Sequence, residues 1–107
     1  MAHYLVQVAY THEAWASMVK NPQDRIAAVA PAVERLGGKI VGGWLSFGDY
    51  DVVAICDMPD SVSAAAFSMA ASAGGSVKAF KTTPLMSTSE AVEAMRKAGG
   101  SGYAPPA

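Results

Sequence analysis

Alternating apolar and polar residues predict that this chain is organised around one β-hairpin. The alternation runs through residues 39–47 and again through residues 50–57, and Gly48-Asp49 separates the two runs. Gly48 can take the positive φ that a two-residue type I′ or II′ turn requires. A turn at this point pairs Leu45 with Val52 and thereby fixes which side chains share a face of the sheet.

The two faces of the predicted hairpin differ in character, because successive side chains of a strand point to opposite sides. One face is almost wholly apolar and is expected to lie under helices. Its members are Val41, Leu45, Phe47, Tyr50, Val52, Ala54 and Cys56. The other face mixes aliphatic with polar side chains, and its members are Ile40, Trp44, Ser46, Asp51, Val53, Ile55 and Asp57. The mixed face is too apolar to remain solvated, so we expect a second subunit or a ligand to cover it.

Further strands and helices follow from the same patterns and from capping residues. Strands are predicted over residues 3–10 and 77–83. Helices are predicted over residues 11–20, from Asn21-Pro22 to Leu36, from Asp60 to about Ala73, and from the capping box Ser87–Glu90 to Ala98.

The resulting order is strand, helix, strand, strand, helix, strand, with an extra helix at the C-terminus. This is the βαββαβ order of ferredoxin-like α+β domains, with helices on one face of a four-stranded antiparallel sheet. The first and third strands are then central, and Gln7 and Asp51 are expected to point from the open face. Two such sheets packed face to face form a dimeric α/β barrel. We assign residues 1–98 to this single domain and residues 99–107, rich in Gly and Pro, to a flexible tail.

Composition supports a small domain with an additional interface. Hydrophobic residues make up 51% of the 107 residues and charged residues only 16%. A net charge of −1 without a basic block argues against nucleic-acid binding. The single cysteine, Cys56, is interpreted as a reduced core residue rather than a nucleophile, because no charged partner is suggested nearby. Without a possible internal disulfide, a signal-peptide pattern or a membrane span, we expect a cytoplasmic protein.

Several stretches together carry a resemblance to a known family. They are His3-Tyr4-Leu5-Val6, Tyr10-Thr11, Leu36-Gly37-Gly38, Trp44, the run from Phe47 to Ile55, and Pro59-Asp60. In this combination, over about residues 3–98, the chain resembles the GYD-domain family, whose name tripeptide appears here with Asp49 inserted. The resemblance implies a ferredoxin-like fold and a dimeric barrel. The family has no settled activity, so the resemblance implies no catalytic residue.

Two weaker likenesses bear on function. The stretch from Gly48 to Asp51 is similar to the effector-binding domain of leucine-responsive-type regulators, where it borders a small-molecule pocket between subunits. No helix-turn-helix precedes it here, which argues against DNA control by this chain alone. Cofactor-free monooxygenases and small cyclases share the architecture, and that likeness is one of fold only.

Two residues are candidates for chemistry. Asp51, near the mouth of the sheet, could bind an amine or act as a base, or it could simply bond to Ser46 or to backbone donors. His3, at the start of the first strand on the mixed face, could act as a general base, or it could be a solvated terminal residue.

Four further residues are candidate ligand contacts. Gln7 could contact a ligand or bond across a dimer interface, and Trp44 could form a pocket wall or pack in that interface. Ser46 faces Asp51 across the turn, and Lys81 could reach the same cavity or serve only to protect an edge strand. His3, His12 and the scattered carboxylates show no metal-binding spacing, so we expect neither a metal nor a cofactor.

Three hypotheses therefore remain open. The first is a homodimer, or a higher homo-oligomer, that binds a small, partly apolar organic molecule at the open sheet face; it could be an isomerase, a cyclase or a cofactor-free oxygenase. The second is a non-catalytic ligand-sensing or assembly module. A purely structural dimer without a pocket is a third reading.

Overall fold

The computed structural model describes residues 1–107 and contains one four-stranded antiparallel sheet with four helices. In chain order the elements are β1 (Ala2–Tyr10), α1 (His12–Lys20), α2 (Arg25–Arg35), β2 (Lys39–Leu45), β3 (Val52–Met58), α3 (Ser61–Ala73), β4 (Val77–Leu85) and α4 (Thr88–Gly99). The strand order β2-β3-β1-β4 places the first and third strands in the centre. The predicted ferredoxin-like α+β fold with an extra C-terminal helix is confirmed.

Side-chain caps define where the helices begin. The Thr11 hydroxyl accepts from the Ala14 N–H, and Ser87 forms the predicted capping box at the start of α4. The predicted start of α2 at Asn21-Pro22 is wrong, because Asp24 caps the helix by accepting from the Ala27 N–H. Asn21 instead closes the end of α1.

The hairpin has the predicted register but a longer connection. Leu45 pairs with Val52 as expected, and the Ser46 N–H donates to the Asp51 carbonyl at 2.7 Å. Between these residues the chain leaves the sheet, and Gly48 adopts a φ of +125°. Phe47 is consequently 93% exposed, so its predicted place on the covered face is wrong.

A β-bulge changes the faces at the start of β2. The register shifts between Ile40 and Gly42, because Ile40 pairs with Cys56 while Gly42 pairs with the adjacent Ile55. The extra residue reverses the side-chain alternation. Ile40 therefore packs against the core and Val41 is exposed, the opposite of the predicted assignment.

The core lies between the sheet and the helices. Strands β1 and β3 each bury every second side chain on that side: Tyr4, Val6, Val8, Tyr10, Val52, Ala54, Cys56 and Met58. Val33 of α2 and Ala64 of α3 cover them. The predicted apolar face is thus confirmed for Val52, Ala54 and Cys56 of β3, and the opposite face of the sheet has no helix over it.

Helix α4 projects away from the rest of the molecule. It makes few contacts with any other element, and the whole chain measures 57 × 34 × 22 Å. Strand β4 continues through Pro84 to Leu85, two residues beyond its predicted end. None of the four helices combines the length and the apolar character needed to traverse a lipid bilayer.

Candidate functional site

The open face presents side chains in rows that cross the sheet in the order β2-β3-β1-β4. The row at one end consists of Lys39, Asp57, His3 and Leu85. The middle row consists of Gly42, Ile55, Leu5 and Thr83. The next row consists of Trp44, Val53, Gln7 and Lys81. The face therefore has an apolar centre, with charged and amide groups toward both ends, and it brings three predicted ligand contacts into one row.

His3 pairs with a carboxylate that was not among the candidate site residues. Its Nδ1 hydrogen-bonds Oδ1 of Asp57, which lies directly opposite on β3. Lys39 stands on the other side of Asp57, on β2. Asp57 could have been found from the sequence. Asp57 and His3 had both been assigned to the mixed face, and antiparallel pairing of the two central strands brings the end of one strand beside the start of the other.

Asp51 lies at the opposite end of the sheet from His3 and is held by neighbours. Its Oδ2 accepts from the Tyr10 backbone N–H at 2.8 Å and from Trp15 Nε1 at 3.2 Å. Its backbone N–H donates to the Val8 carbonyl at 2.7 Å. At about 3.3 Å per residue along β1, His3 and Asp51 are separated by roughly 20 Å. The two predicted catalytic residues are therefore not brought together.

Ser46 also forms a local bond rather than facing a free space. Its Oγ donates to the Tyr50 carbonyl at 2.8 Å, across the connection between β2 and β3. Together with the Asp51 bonds, this contact fixes the conformation of the connection. It leaves Trp44, Gln7 and Lys81 as the predicted contacts with side chains on the open face.

A cavity of about 290 Å³ lies on the helix side of the sheet, between α2 and α3. Its floor includes Val8 and Ala54 of the central strands, and its walls include Ile26 of α2 and Phe67 of α3. Fifteen of its eighteen lining residues are hydrophobic, so this recess is mainly apolar. Its volume is close to the lower end of the range for small-molecule sites, about 300–1,000 Å³.

Polar groups enter this cavity at the end where Tyr10 and Arg25 line it. Burial raises the pKa of Tyr10, and the adjacent Arg25 guanidinium partly offsets that effect. The phenol thus remains protonated at neutral pH and can donate a hydrogen bond. Nη1 of Arg25 donates to Gln23 Oε1 at 2.9 Å, and no carboxylate forms an ion pair with the guanidinium.

Cys56 contributes to the floor of the cavity and is 1% exposed. Burial raises the pKa of its thiol, and the charge of Asp57 acts in the same direction. A protonated, covered sulfur is a poor nucleophile. No group of three or more His, Cys, Asp or Glu side chains is arranged to hold a metal ion.

The sequence analysis did not predict this cavity. Ala70 and Ala71 line the cavity and are too short to reach across to Ile26 and Val29 of α2. An alanine-rich helix opposite a helix with an aliphatic stripe was the available signal. The alternation in the strands gave no information about the separation between the helices.

Comparison with known proteins gives one result for the family and one for individual relatives. The sequence model of the GYD domain matches residues 4–95, which is most of the 107-residue chain. No curated protein matches the sequence.

Proposed function

The chain belongs to the GYD domain family, and on that premise we propose that it is a homodimer whose subunits pack their open sheet faces together and bind a small, partly apolar organic molecule there. One observation carries the proposal. The outward side chains in the middle of the two central strands, Leu5, Val53 and Ile55, are aliphatic and remain only half-buried in the single chain. A group of adjacent aliphatic side chains that the fold leaves partly exposed is a candidate interaction site.

The arrangement of charges on the face is compatible with self-association. A two-fold interface uses the same surface on both subunits, so its centre meets its own copy. Here the centre is aliphatic, and the charged Lys39, Asp57 and Lys81 lie nearer the ends of the strands or at the edge strands. Two copies can therefore bury the apolar centre without burying unpaired charges on the axis, which would be costly.

The ligand is proposed to lie beside the row that contains Trp44, Gln7 and Lys81. Trp44 is 58% exposed, and its indole lies over Gly42, where an added Cβ would approach Cη2 to 2.9 Å. The glycine thus leaves room for a flat indole surface. The row runs from an aromatic side chain on β2 across Val53 to an amide on β1 and an ammonium group on β4. Such a row suits a molecule that is apolar over most of its surface and polar at one end.

The oligomer can be tested by placing charge at the centre of the open face. We expect Leu5→Glu and Ile55→Glu to reduce the mass in sedimentation from about two chains to one, because a dimer would bury both carboxylates unpaired. Val62→Glu is the matched control, since Val62 is 77% exposed and lies on α3, away from the open face. A wild-type chain that sediments as a monomer at micromolar concentration would contradict the proposal.

The ligand site can be tested with a panel of small aromatic acids, amides and alcohols observed by ligand-detected NMR. We expect Trp44→Ala to weaken binding of the members that bind the wild type, with the dimer retained. Chemical conversion of a bound member, lost in His3→Ala while binding persists, would indicate an enzyme. Binding without conversion would favour the ligand-sensing alternative, and unchanged binding in Trp44→Ala would contradict the site.

A further inference from the structure

The cavity between α2 and α3 has a composition that the proposed dimer does not explain. It lies within one subunit, on the side of the sheet opposite the open face, so a second copy packed on that face would not fill it. Apolar atoms surround nearly all of it. The exceptions are Ser76 and the end where Arg25 and Tyr10 meet. There the guanidinium can only donate hydrogen bonds, and the phenol can donate one as well as accept.

Arg25 is placed to receive an anion. It is the first residue of α2, and it is half-buried beside the Tyr10 ring. Its hydrogen-bond partners, the Gln23 amide and the Tyr10 phenol, are both neutral. The neighbouring carboxylate, that of Asp24, is engaged as the cap of α2 through the Ala27 N–H. A half-buried guanidinium without an acidic partner carries an uncompensated positive charge, and carboxylates are its preferred partners.

We propose that this cavity binds a small amphipathic monocarboxylate, with its apolar body between α2 and α3 and its carboxylate against the Arg25 guanidinium and the Tyr10 hydroxyl. The body replaces water along Phe67, Phe80 and the aliphatic floor, and removal of that apolar surface from water favours binding. The guanidinium supplies a charge-assisted hydrogen bond that a neutral head group cannot match. This site is independent of the proposed ligand contacts on the open face.

The cavity limits the size of the ligand. A volume of about 290 Å³ suits a short chain or a single ring system rather than a long-chain lipid. Phe67 and Phe80 pack edge to face in its wall, with centroids 5.7 Å apart, and provide a rigid apolar surface. A single cation at one end favours a monoanion over a dianion, whose second charge would be left without a partner.

Octanoate and 1-octanol are suitable probes, because they share the alkyl body and differ in the charge of the head group. We expect titration calorimetry to show that octanoate binds the wild-type chain about tenfold or more tightly than octanol, as a charged hydrogen bond would give. Equal affinities would overturn the assignment of the anion site.

Two substitutions of the same type locate the charge. Arg25→Met keeps an unbranched side chain without the cation, and it should reduce octanoate affinity about tenfold while leaving octanol affinity unchanged. Arg35→Met is the matched control, because Arg35 lies in the last turn of the same helix and does not line the cavity. Unchanged octanoate binding in Arg25→Met would overturn the proposal.

A third substitution locates the apolar body. Ala71→Leu should fill the cavity from α3 and abolish binding of both probes, and Ala32→Leu should do the same from α2 if the first variant does not fold. Binding to the Leu5→Glu monomer should persist, because the cavity lies within one subunit. Octanoate binding that survives Ala71→Leu, or that is lost only with dimer dissociation, would place the ligand elsewhere and overturn the inference.

Discussion

Replacing Asp51 by alanine tests whether this residue serves chemistry or structure. Its Oδ2 accepts hydrogen bonds from the Tyr10 backbone N–H and from Trp15 Nε1, at 2.8 Å and 3.2 Å. Both donors are partly buried, so water replaces the carboxylate incompletely. Asp51→Ala therefore leaves two donors under-satisfied at the junction of β1, the hairpin connection and α1.

The magnitude follows from the number and type of these bonds. A hydrogen bond to a charged group contributes about 1.5–3 kcal/mol, and a buried donor left without a partner costs about 1–3 kcal/mol. Partial access to water reduces the sum, so we expect a loss of about 2–3 kcal/mol in the free energy of unfolding. For a domain of this size, that corresponds to a decrease in Tm of roughly 10–20 °C.

Urea unfolding followed by circular dichroism measures the loss directly. Asp49→Ala is the matched control, because Asp49 is an exposed carboxylate two residues away whose side chain makes no hydrogen bond. Combining Asp51→Ala with Trp15→Phe should give a coupling energy of about 0.5 kcal/mol or more, as for residues in one hydrogen-bond network. An Asp51→Ala chain as stable as Asp49→Ala would refute the structural reading and return Asp51 to the list of candidates for chemistry.

Three further outcomes are expected. Gly38→Ala should destabilise the fold by about 1–3 kcal/mol, because its Cβ would overlap the Asp57 carbonyl oxygen. Gly99→Ala is the control and should not destabilise the fold, since its Cβ would meet no neighbour within 4 Å. Equal Tm values for the two variants would contradict this prediction. The folded-state pKa of Cys56 is raised, so stability should fall as pH rises above the ordinary value of 9.0, and Cys56→Ala should flatten that dependence in urea titrations. The pKa of Asp60 is lowered by hydrogen bonds from the Ser63 backbone N–H and then from the Ser63 side chain, so its stabilising contribution should fade as pH falls below 3.8. Asp60→Asn should remove that part of the acid dependence of stability, and an unchanged acid profile in this variant would argue against the assignment.

The local elements were predictable wherever a residue acts on its immediate neighbours. Asp60 and Ser87 cap helices as predicted, because a cap requires only an oxygen near the next three N–H groups. The pairing of Leu45 with Val52 followed from the position of the turn. The predicted faces of Ile40 and Val41 were wrong, because a β-bulge at Val41 adds one residue to β2 and reverses the side-chain alternation there. The pattern of apolar and polar residues gives no sign of this bulge.

The candidate site was less accessible from the sequence than the fold. Gln7, Trp44 and Lys81 were placed on one face by alternation, and the structure puts them in one row. His3 and Asp51 were treated as one site although they lie at opposite ends of β1, because alternation gives the face of a residue and not its distance from another.

The sequence by itself determined the order of elements, the central strands and the apolar face that the helices cover, since these depend on periodicity and on caps a few residues away. Only the tertiary structure decided how far α2 stands from α3, and hence that a cavity exists beside Arg25. The spacing between two helices depends on side chains that are far apart in the chain and meet only after folding. Such a distance is a property of packing, and no local pattern encodes it.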